Sequence, residues 1–364
     1  MTHSIDKPLL TLTIVIFVVG ILILASASMV LSQKNFGSIS YYFLKQLLYG
    51  GVVGGLALLV TQWIPYRTWK RISLFLMLAS FALMAFVFFP KIASTYGGAT
   101  RWLSLGPISF QPSEILKLTF IIYLASWLDA RRKEVASVSY GMIPFTLMLA
   151  VVGIFLIMQP DIGTLGVIVA TAGILYFLGG GKISQIATLS SFGAMILYFL
   201  IQLKGYRHPI QRILIFINPG LDPQGIGYQI TQAFIAIGSG GFSGIGFGRS
   251  IQKYSYLPEP MGDSIFAIFS EEMGFMGALI LIALFCLLFW RGLVIAKKAP
   301  DVFGKLLASG ISIGIMVQAF INMAAISGLL PLTGIPLPFV SYGGTSLAIT
   351  LASIGILLNI SKYT

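Results

Sequence analysis

Long apolar segments alternate with short polar connections along the whole chain. Most of these segments approach the twenty or so residues that a helix needs to cross a bilayer. They cover residues 8–31, 43–63, 69–89, 112–128, 141–158, 162–178, 183–203, 263–290, 303–329 and 341–360. The pattern predicts an all-α integral membrane protein, a bundle of about ten transmembrane helices that forms a single membrane domain over residues 1–364.

The first apolar segment has a second interpretation, as a cleaved leader. Ala25, Ser26 and Ala27 resemble a signal-peptidase site, and a short polar stretch precedes the apolar run. The run is nevertheless longer than the roughly 7 to 15 residues of a leader core, and many more spans follow it. We therefore expect a retained first helix.

Basic residues predict the orientation. They cluster in short connections on alternate sides of the helix count: Arg67, Lys70, Arg71, Arg131, Arg132, Lys133, Lys182, Arg291, Lys297, Lys298 and Lys305. Cytoplasmic loops carry the excess of Lys and Arg, so both termini are expected in the cytoplasm. Residues of about 90–111 and 204–262 then form extracellular loops, and the larger loop connects helices 7 and 8.

The composition excludes several classes of protein. Hydrophobic residues make up 57% of the chain and charged residues 9%, and the mean hydropathy is +0.93, values that a water-soluble domain does not have. The net charge of +12 lies in the short clusters, which suit anionic membrane lipids and not nucleic acid. With one cysteine, Cys286, and two distant histidines, His3 and His208, we predict no metal site built from these residues. A role for a divalent cation stays open.

One acidic stretch interrupts the apolar sequence, over residues 256–277 (YLPEPMGDSIFAIFSEEMGFMG). Two prolines predict a turn there, and Asp263 follows at the expected start of a helix. Its carboxylate is either a helix cap or a catalytic base. Glu271 is eight residues further along the helix, about 12 Å at 1.5 Å per residue, and is more plausibly a buried structural carboxylate.

Other charged residues lie on the predicted outer side. Glu114 and Lys117 are three residues apart on one helix face, so they form either a structural ion pair or part of a site. Arg101 precedes them in the first outer loop and suits bidentate recognition of phosphate. Arg249 and Lys253 approach Asp263 from the second loop, as a solvated rim or as ligand contacts. Asp161 and Ser341, at two further outer connections, complete the candidate substrate-binding residues.

Cations, a carboxylate at a helix start and apolar helix walls together suit a substrate with an anionic head and a lipid tail. Positive charge stabilises a departing diphosphate, and a sugar hydroxyl that attacks needs a nearby base. Asp263 could be that base.

Five motifs carry a resemblance to a known family. They are GATRWLSLGPISFQPSEILKL, MQPDIGT, NPGLDPQGIGYQITQAFIAIGSGG, SIQKYSYLPEPMGDSIFAIFSEEMG and NMAAISGLLPLTGIPLPFVSYGGTSL. Jointly, and in this order, they resemble the SEDS proteins (shape, elongation, division and sporulation), which include the RodA and FtsW types. The run SIQKYSYLPE is more similar to the FtsW type.

The resemblance implies ten helices with both termini inside, in the bacterial cytoplasmic membrane. It also implies a glycosyltransferase that polymerises lipid II into glycan strands outside that membrane, for division or elongation, together with a class B penicillin-binding protein that cross-links the product. Asp263 matches the family's proposed catalytic residue, and Asp161 matches its QPD motif. The family commonly has His-Thr before this aspartate, where this chain has Met261 and Gly262.

Two other functions stay open. A lipid II flippase would also use intramembrane charge and a lateral groove, although it should need polar groups through the membrane depth. A non-catalytic scaffold would only hold and activate the penicillin-binding protein.

Overall fold

The protein is described here by a computed structural model that covers residues 4–89, 93–96, 99–105, 108–202 and 207–364. Four residues named in the sequence predictions, His3, Pro90, Leu203 and Lys204, lie outside the described residues.

Helices dominate the chain, and a helix lies at each of the ten predicted positions. These ten and two further helices are α1 (Lys7–Phe36), α2 (Tyr41–Trp63, with a π-helical part at Gln46–Val52), α3 (Tyr66–Phe86), α4 (Pro112–Ala130), α5 (Val138–Met158), α6 (Ile162–Leu178), α7 (Ile183–Gln202), α8 (Arg207–Ile217), α9 (Ile226–Gly240), α10 (Ile265–Lys298), α11 (Val302–Ile326) and α12 (Gly344–Ser361). The predicted helical membrane fold is thereby confirmed.

Seven helices in the described part of the chain are long and apolar enough to cross a membrane: α1, α2, α3, α5, α10, α11 and α12. Helix α6 is apolar but only 17 residues long, and α4 carries Glu114, Lys117 and Asp129. The predicted number of ten membrane-crossing helices therefore stays a prediction.

The first outer loop contains a small sheet that the sequence analysis did not predict. Strands β1 (Ala93–Tyr96), β2 (Ala99–Leu105) and β3 (Ile108–Phe110) pair antiparallel in chain order. Leu103 pairs with Ala93 on one side and with Phe110 on the other. The sheet presents Arg101, on β2, to the connection between α5 and α6.

The second predicted outer loop does not lie only in solvent. Its chain runs along α10, from the start of that helix towards Gly274, and then returns. Gln229, near the start of α9, contacts Ser264 at the outer end of α10, whereas Gly240, at the end of α9, lies against Ser270 and Glu271. The following residues cross α10 at Gly274, nine residues or about 13 Å from its first residue. The chain then runs back to Asp263.

Helix α10 is broken at Gly274. The segment that crosses it there forms hydrogen bonds with the backbone groups that the break leaves without helical partners. Gly274 has φ 65° and ψ −168°. The amides of Ile245 and Gly246 donate to the carbonyls of Glu271 and Glu272 at 3.1 and 3.0 Å, and Phe275 donates to the Gly241 carbonyl at 2.9 Å. A β-carbon at Gly274 would lie 2.3 Å from the Gly244 nitrogen. Backbone that leaves a helix inside a membrane protein needs such internal partners.

The predicted orientation leads to a labelling test. Gln224 is exposed on the connection between α8 and α9. In a Cys286→Ser background, Gln224→Cys should react with a membrane-impermeant maleimide in intact cells, because this connection is predicted to be outside. A matched cysteine at exposed Arg132, on the predicted inner side, should react only after permeabilisation. The reverse pattern would contradict the orientation.

Candidate functional site

Asp263 lies at the end of the turn that returns from the segment crossing α10. Helix α10 starts at Ile265 with Ser264 as its N-cap residue. The Asp263 carboxylate accepts a hydrogen bond from the Gln229 side-chain amide at 3.3 Å, and not from a first-turn amide of α10. The alternative that this carboxylate is a helix cap is therefore wrong, because the chain places it one residue too early.

Two side-chain amides fix the position of Asp263. Gln229, on α9, also donates to the Ser264 hydroxyl at 2.9 Å. Asn322, near the outer end of α11, donates to the backbone carbonyls of Asp263 at 2.9 Å and of Ile335 at 2.8 Å. Gln229 therefore fixes the carboxylate and Asn322 fixes the backbone of Asp263, and no salt bridge to Asp263 is found among the described residues.

The surroundings of Asp263 change its acidity. Burial, followed by the charge of the nearby Glu259 carboxylate, raises the pKa of this carboxyl group to about 6, although the Gln229 hydrogen bond and the Arg212 charge oppose the increase. A pKa near the operating pH is what a general base needs, because the group must be ionised at rest and still able to accept a proton.

Ser341 fixes the turn before Asp263 from the other side. Its hydroxyl donates to the Gly262 carbonyl at 2.6 Å and accepts from the Leu337 amide at 2.8 Å. The neighbouring amide of Tyr342 donates to the Met261 carbonyl at 2.8 Å. These contacts stabilise the turn at Met261 and Gly262, and they occupy the Ser341 hydroxyl.

Arg101 and Asp161 form a second part of the site. The Arg101 guanidinium donates to the Gln159 carbonyl at 3.0 Å and to the Pro160 carbonyl, and lies 3.7 Å from the Asp161 carboxylate. Asp161 caps α6 through the Thr164 amide at 3.3 Å and accepts from the Ser113 hydroxyl at 3.2 Å. The contacts of Asp161 therefore mainly stabilise the start of α6. Arg101 lies at the edge of the predicted outer face.

Glu114 and Lys117 form the predicted ion pair, inside the helix bundle. Their charged atoms are 2.7 Å apart, and Lys117 also donates to the Gln318 side chain at 2.5 Å. A cavity of about 50 Å³ borders the pair and is lined mainly by apolar residues of α4, α6, α11 and α12. This volume holds one or two water molecules, since a water occupies about 30 Å³ in the liquid.

Lys253 lies away from the outer face. Its side chain is fully buried, and its ammonium donates to the Ser26 hydroxyl at 3.0 Å, the Gly248 carbonyl at 2.7 Å and the Glu272 carboxylate at 2.9 Å. All three donors are thus occupied. Lys253 therefore does not belong to the proposed substrate site, whereas Arg249 is exposed on the same segment.

Glu271 and Glu272 anchor the returning segment. Glu271 accepts from the Ser250 hydroxyl and from the amides of Ile251 at 3.1 Å and Gln252 at 3.4 Å. Both carboxylates are buried. The prediction of a structural Glu271 agrees with these contacts. Ser26 of α1 donates to Glu272 at 2.7 Å, so the first helix is part of this buried cluster.

Arg212, on α8, was missed by the sequence analysis. It donates to the Leu332 carbonyl at 3.0 Å and is close enough to Asp263, Arg101 and Asp161 to interact with each electrostatically. Arg212 lies 51 positions before Asp263, in a part of the second loop for which no candidate residue was predicted. Its place in an amphipathic segment, RHPIQRILIFI, was the available signal.

An apolar groove lies between three of the helices. It has a volume of about 570 Å³ and runs between α6, α10 and α11, with Ile321 and Leu330 at its outer end. Ile321 is next to Asn322, which holds the Asp263 backbone. Among the described residues, no cluster of three or more His, Cys, Asp or Glu side chains could hold a metal ion.

Comparison with known proteins gives consistent results. The chain is 38% identical to stage V sporulation protein E of Bacillus subtilis over 359 residues, covering 99% of this chain and 97% of that protein. It is 38% identical to a probable peptidoglycan glycosyltransferase FtsW of Coxiella burnetii over 364 residues, covering 99% and 97% of the two chains.

Solved structures agree with these relatives. A chain of a peptidoglycan synthase complex, studied for the coordination of polymerization and crosslinking, matches with a TM-score of 0.80, 27% identity and 98% coverage of both chains. The rod shape determining protein RodA of Thermus thermophilus matches with a TM-score of 0.71 and 25% identity, covering 98% and 97%. The family described as cell cycle protein (FtsW, RodA and SpoVE) matches residues 7–364. The chain is thus a multi-pass membrane protein that belongs to this family, the SEDS proteins, and it resembles the FtsW type.

Proposed function

We propose that this protein is a peptidoglycan glycosyltransferase that polymerises lipid II at the outer face of the bacterial cytoplasmic membrane. The observation that carries the proposal is Asp263, whose carboxylate accepts a hydrogen bond from Gln229, whose backbone carbonyl accepts one from Asn322, and whose pKa is raised to about 6. The names of the relatives, which include probable peptidoglycan glycosyltransferases, support the same reaction.

The proposed step is a single displacement. A sugar hydroxyl of one lipid-linked glycan attacks the anomeric carbon of another, a new C–O bond forms, and the bond between that carbon and the diphosphate oxygen breaks. The hydroxyl proton passes to Asp263, and the polyprenyl diphosphate leaves. Proton transfer to a base of pKa near 6 is favourable only as the hydroxyl becomes acidic during bond formation, which is when general base catalysis acts.

The buried ion pair gives limited support to the flippase alternative. Glu114 and Lys117 are at membrane depth, as that function would require. The neighbouring cavity of about 50 Å³, however, is far smaller than the roughly 300 Å³ or more of pockets that hold small organic molecules. A disaccharide headgroup does not fit there, so the outer site favours polymerisation.

A partner and an orientation belong to the same proposal. The structural match to a complex that couples polymerization and crosslinking supports a class B penicillin-binding protein as the partner of this chain. With the basic connections inside, both termini are cytoplasmic and Asp263 faces the side where the glycan is built. Arg101, at the edge of this face, is the proposed contact for substrate phosphate among the residues named from sequence.

Reconstitution tests the proposal directly. Purified protein in proteoliposomes, with and without a penicillin-binding partner whose cross-linking site is inactivated, is given fluorescent lipid II. We expect a ladder of glycan polymers. Transbilayer movement without polymer would support a flippase, and neither polymer nor transbilayer movement, with the partner present, would support a scaffold. Either result would overturn the proposed function.

A further inference from the structure

Arg212 is a partly buried cation with unused hydrogen-bond capacity. Among the described residues, the Leu332 carbonyl, at 3.0 Å from Nη1, is the one hydrogen-bond acceptor found for it. A guanidinium group has five N–H donors and keeps its charge in proteins. Arg212 makes no ion pair in the described part of the chain, although Asp263 and Asp161 are within electrostatic range. Its remaining donors are available to a ligand.

An open space separates Arg212 from Asp263. A β-carbon added at Gly334 would lie 3.9 Å from both terminal nitrogens of Arg212 and 3.9 Å from Oδ2 of Asp263. Gly334 has φ 72°, a conformation that favours glycine, so the connection before α12 passes the two charged groups without placing a side chain between them. The guanidinium and the carboxylate therefore face a common gap.

A second guanidinium lies nearby. Arg101 interacts electrostatically with Arg212, and its orientation is fixed by the carbonyls of Gln159 and Pro160. Two like charges held close together by separate elements repel each other, and this arrangement is stabilised when an anion binds between or beside them. The counterion of Arg101, Asp161, is already engaged in capping α6.

We propose that Arg212 binds the diphosphate of the lipid-linked substrate and stabilises it as it leaves, across the Gly334 gap from Asp263. The inference rests on the proposed function, and it adds the residue that binds the leaving group. As the bond between the anomeric carbon and the diphosphate oxygen breaks, negative charge grows on that oxygen, beside the guanidinium. At the same time Asp263 accepts the hydroxyl proton and becomes neutral, so it ceases to repel the departing anion.

Direct binding measurements test this role. The probe is a short fluorescent polyprenyl diphosphate without sugar, and its neutral polyprenol is the control ligand, both added to purified protein in nanodiscs. We expect Arg212→Gln to weaken binding of the diphosphate tenfold or more, since a charge-assisted contact is lost. Arg212→Lys should bind with intermediate affinity, because it keeps the charge and loses the planar fork. Binding of the polyprenol should not change.

Controls separate this role from a purely structural one. Lys34→Gln removes an exposed cation in the last turn of α1 and should leave diphosphate binding unchanged. Arg212→Gln protein that melts at the wild-type temperature and binds the diphosphate as wild type does would overturn the proposal. An equal loss of diphosphate and polyprenol binding would overturn it too. If the Gln variant does not fold, the Lys variant decides: wild-type affinity for the diphosphate would count against the proposal.

This proposal and the proposed function can be refuted separately. Wild-type protein that binds the diphosphate in an Arg212-dependent way but forms no glycan would leave the binding residue standing and refute the polymerase. Conversely, normal polymerisation by Arg212→Gln would refute the role of Arg212 in the leaving step and leave the polymerase intact.

Discussion

Asp263→Asn protein is expected to polymerise lipid II about 10²- to 10⁴-fold more slowly than wild type, the usual cost of removing a general base. Asparagine is nearly isosteric, and its carbonyl oxygen can still accept the Gln229 hydrogen bond that now measures 3.3 Å. It removes only the charge and the basicity, and burial already disfavours the charged form. The variant should therefore melt at or above the wild-type temperature, and the rate is measured with fluorescent lipid II.

The same substitution elsewhere is the matched control. Asp222, another carboxylate of the predicted outer side, accepts the Ile226 amide at 2.9 Å, and Asp222→Asn should keep a rate close to that of wild type. If folded Asp263→Asn protein polymerised within a few-fold of wild type, the base would lie elsewhere. Glu114 and Asp161 would be tested next.

Lys253→Met is expected to destabilise the protein by about 3–5 kcal/mol, because removal of one partner leaves a buried charge without compensation. Lys253 is fully buried, and its ammonium is 2.9 Å from the Glu272 carboxylate. The cluster also holds the segment that leads to Asp263. The prediction is checked by thermal unfolding in detergent and by the yield of folded protein.

Two variants test the reason for this loss. Lys253→Met combined with Glu272→Gln removes both charges and should recover part of the stability, whereas Lys34→Met, at an exposed lysine, should have little effect. A Lys253→Met protein as stable as wild type would show that the buried pair contributes nothing to the fold.

The sequence predicted the helices well for a physical reason. A helix in a bilayer needs an uninterrupted apolar stretch of nearly fixed length, so hydropathy alone locates it. Asp263 was identified because a carboxylate next to two prolines stands out in an apolar chain. The buried pair of Glu114 and Lys117 was found because spacing along one helix determines which side chains meet.

The contacts that the sequence did not predict join segments that are far apart in the chain. Arg212 lies across a gap from Asp263 because both face the connection at Leu332 and Gly334, which is far from them in sequence. The break at Gly274, which receives the second loop, has no hydropathy signal. Lys253 was assigned to the outer face because it precedes Asp263, but its partners, Ser26 and Glu272, come from helices α1 and α10. The sheet of the first loop is short, and its pairing is weakly specified by sequence.

The dependence of the rate on pH tests the central claim, that the Asp263 carboxylate is the base. A base of pKa about 6 is protonated, and inactive, at lower pH. The initial rate of glycan formation should therefore be constant above pH 7 and fall roughly tenfold per unit below pH 6. The diphosphate of lipid II does not titrate in this range. A rate that stays constant from pH 5 to 7, or that rises as the pH falls, would contradict the account.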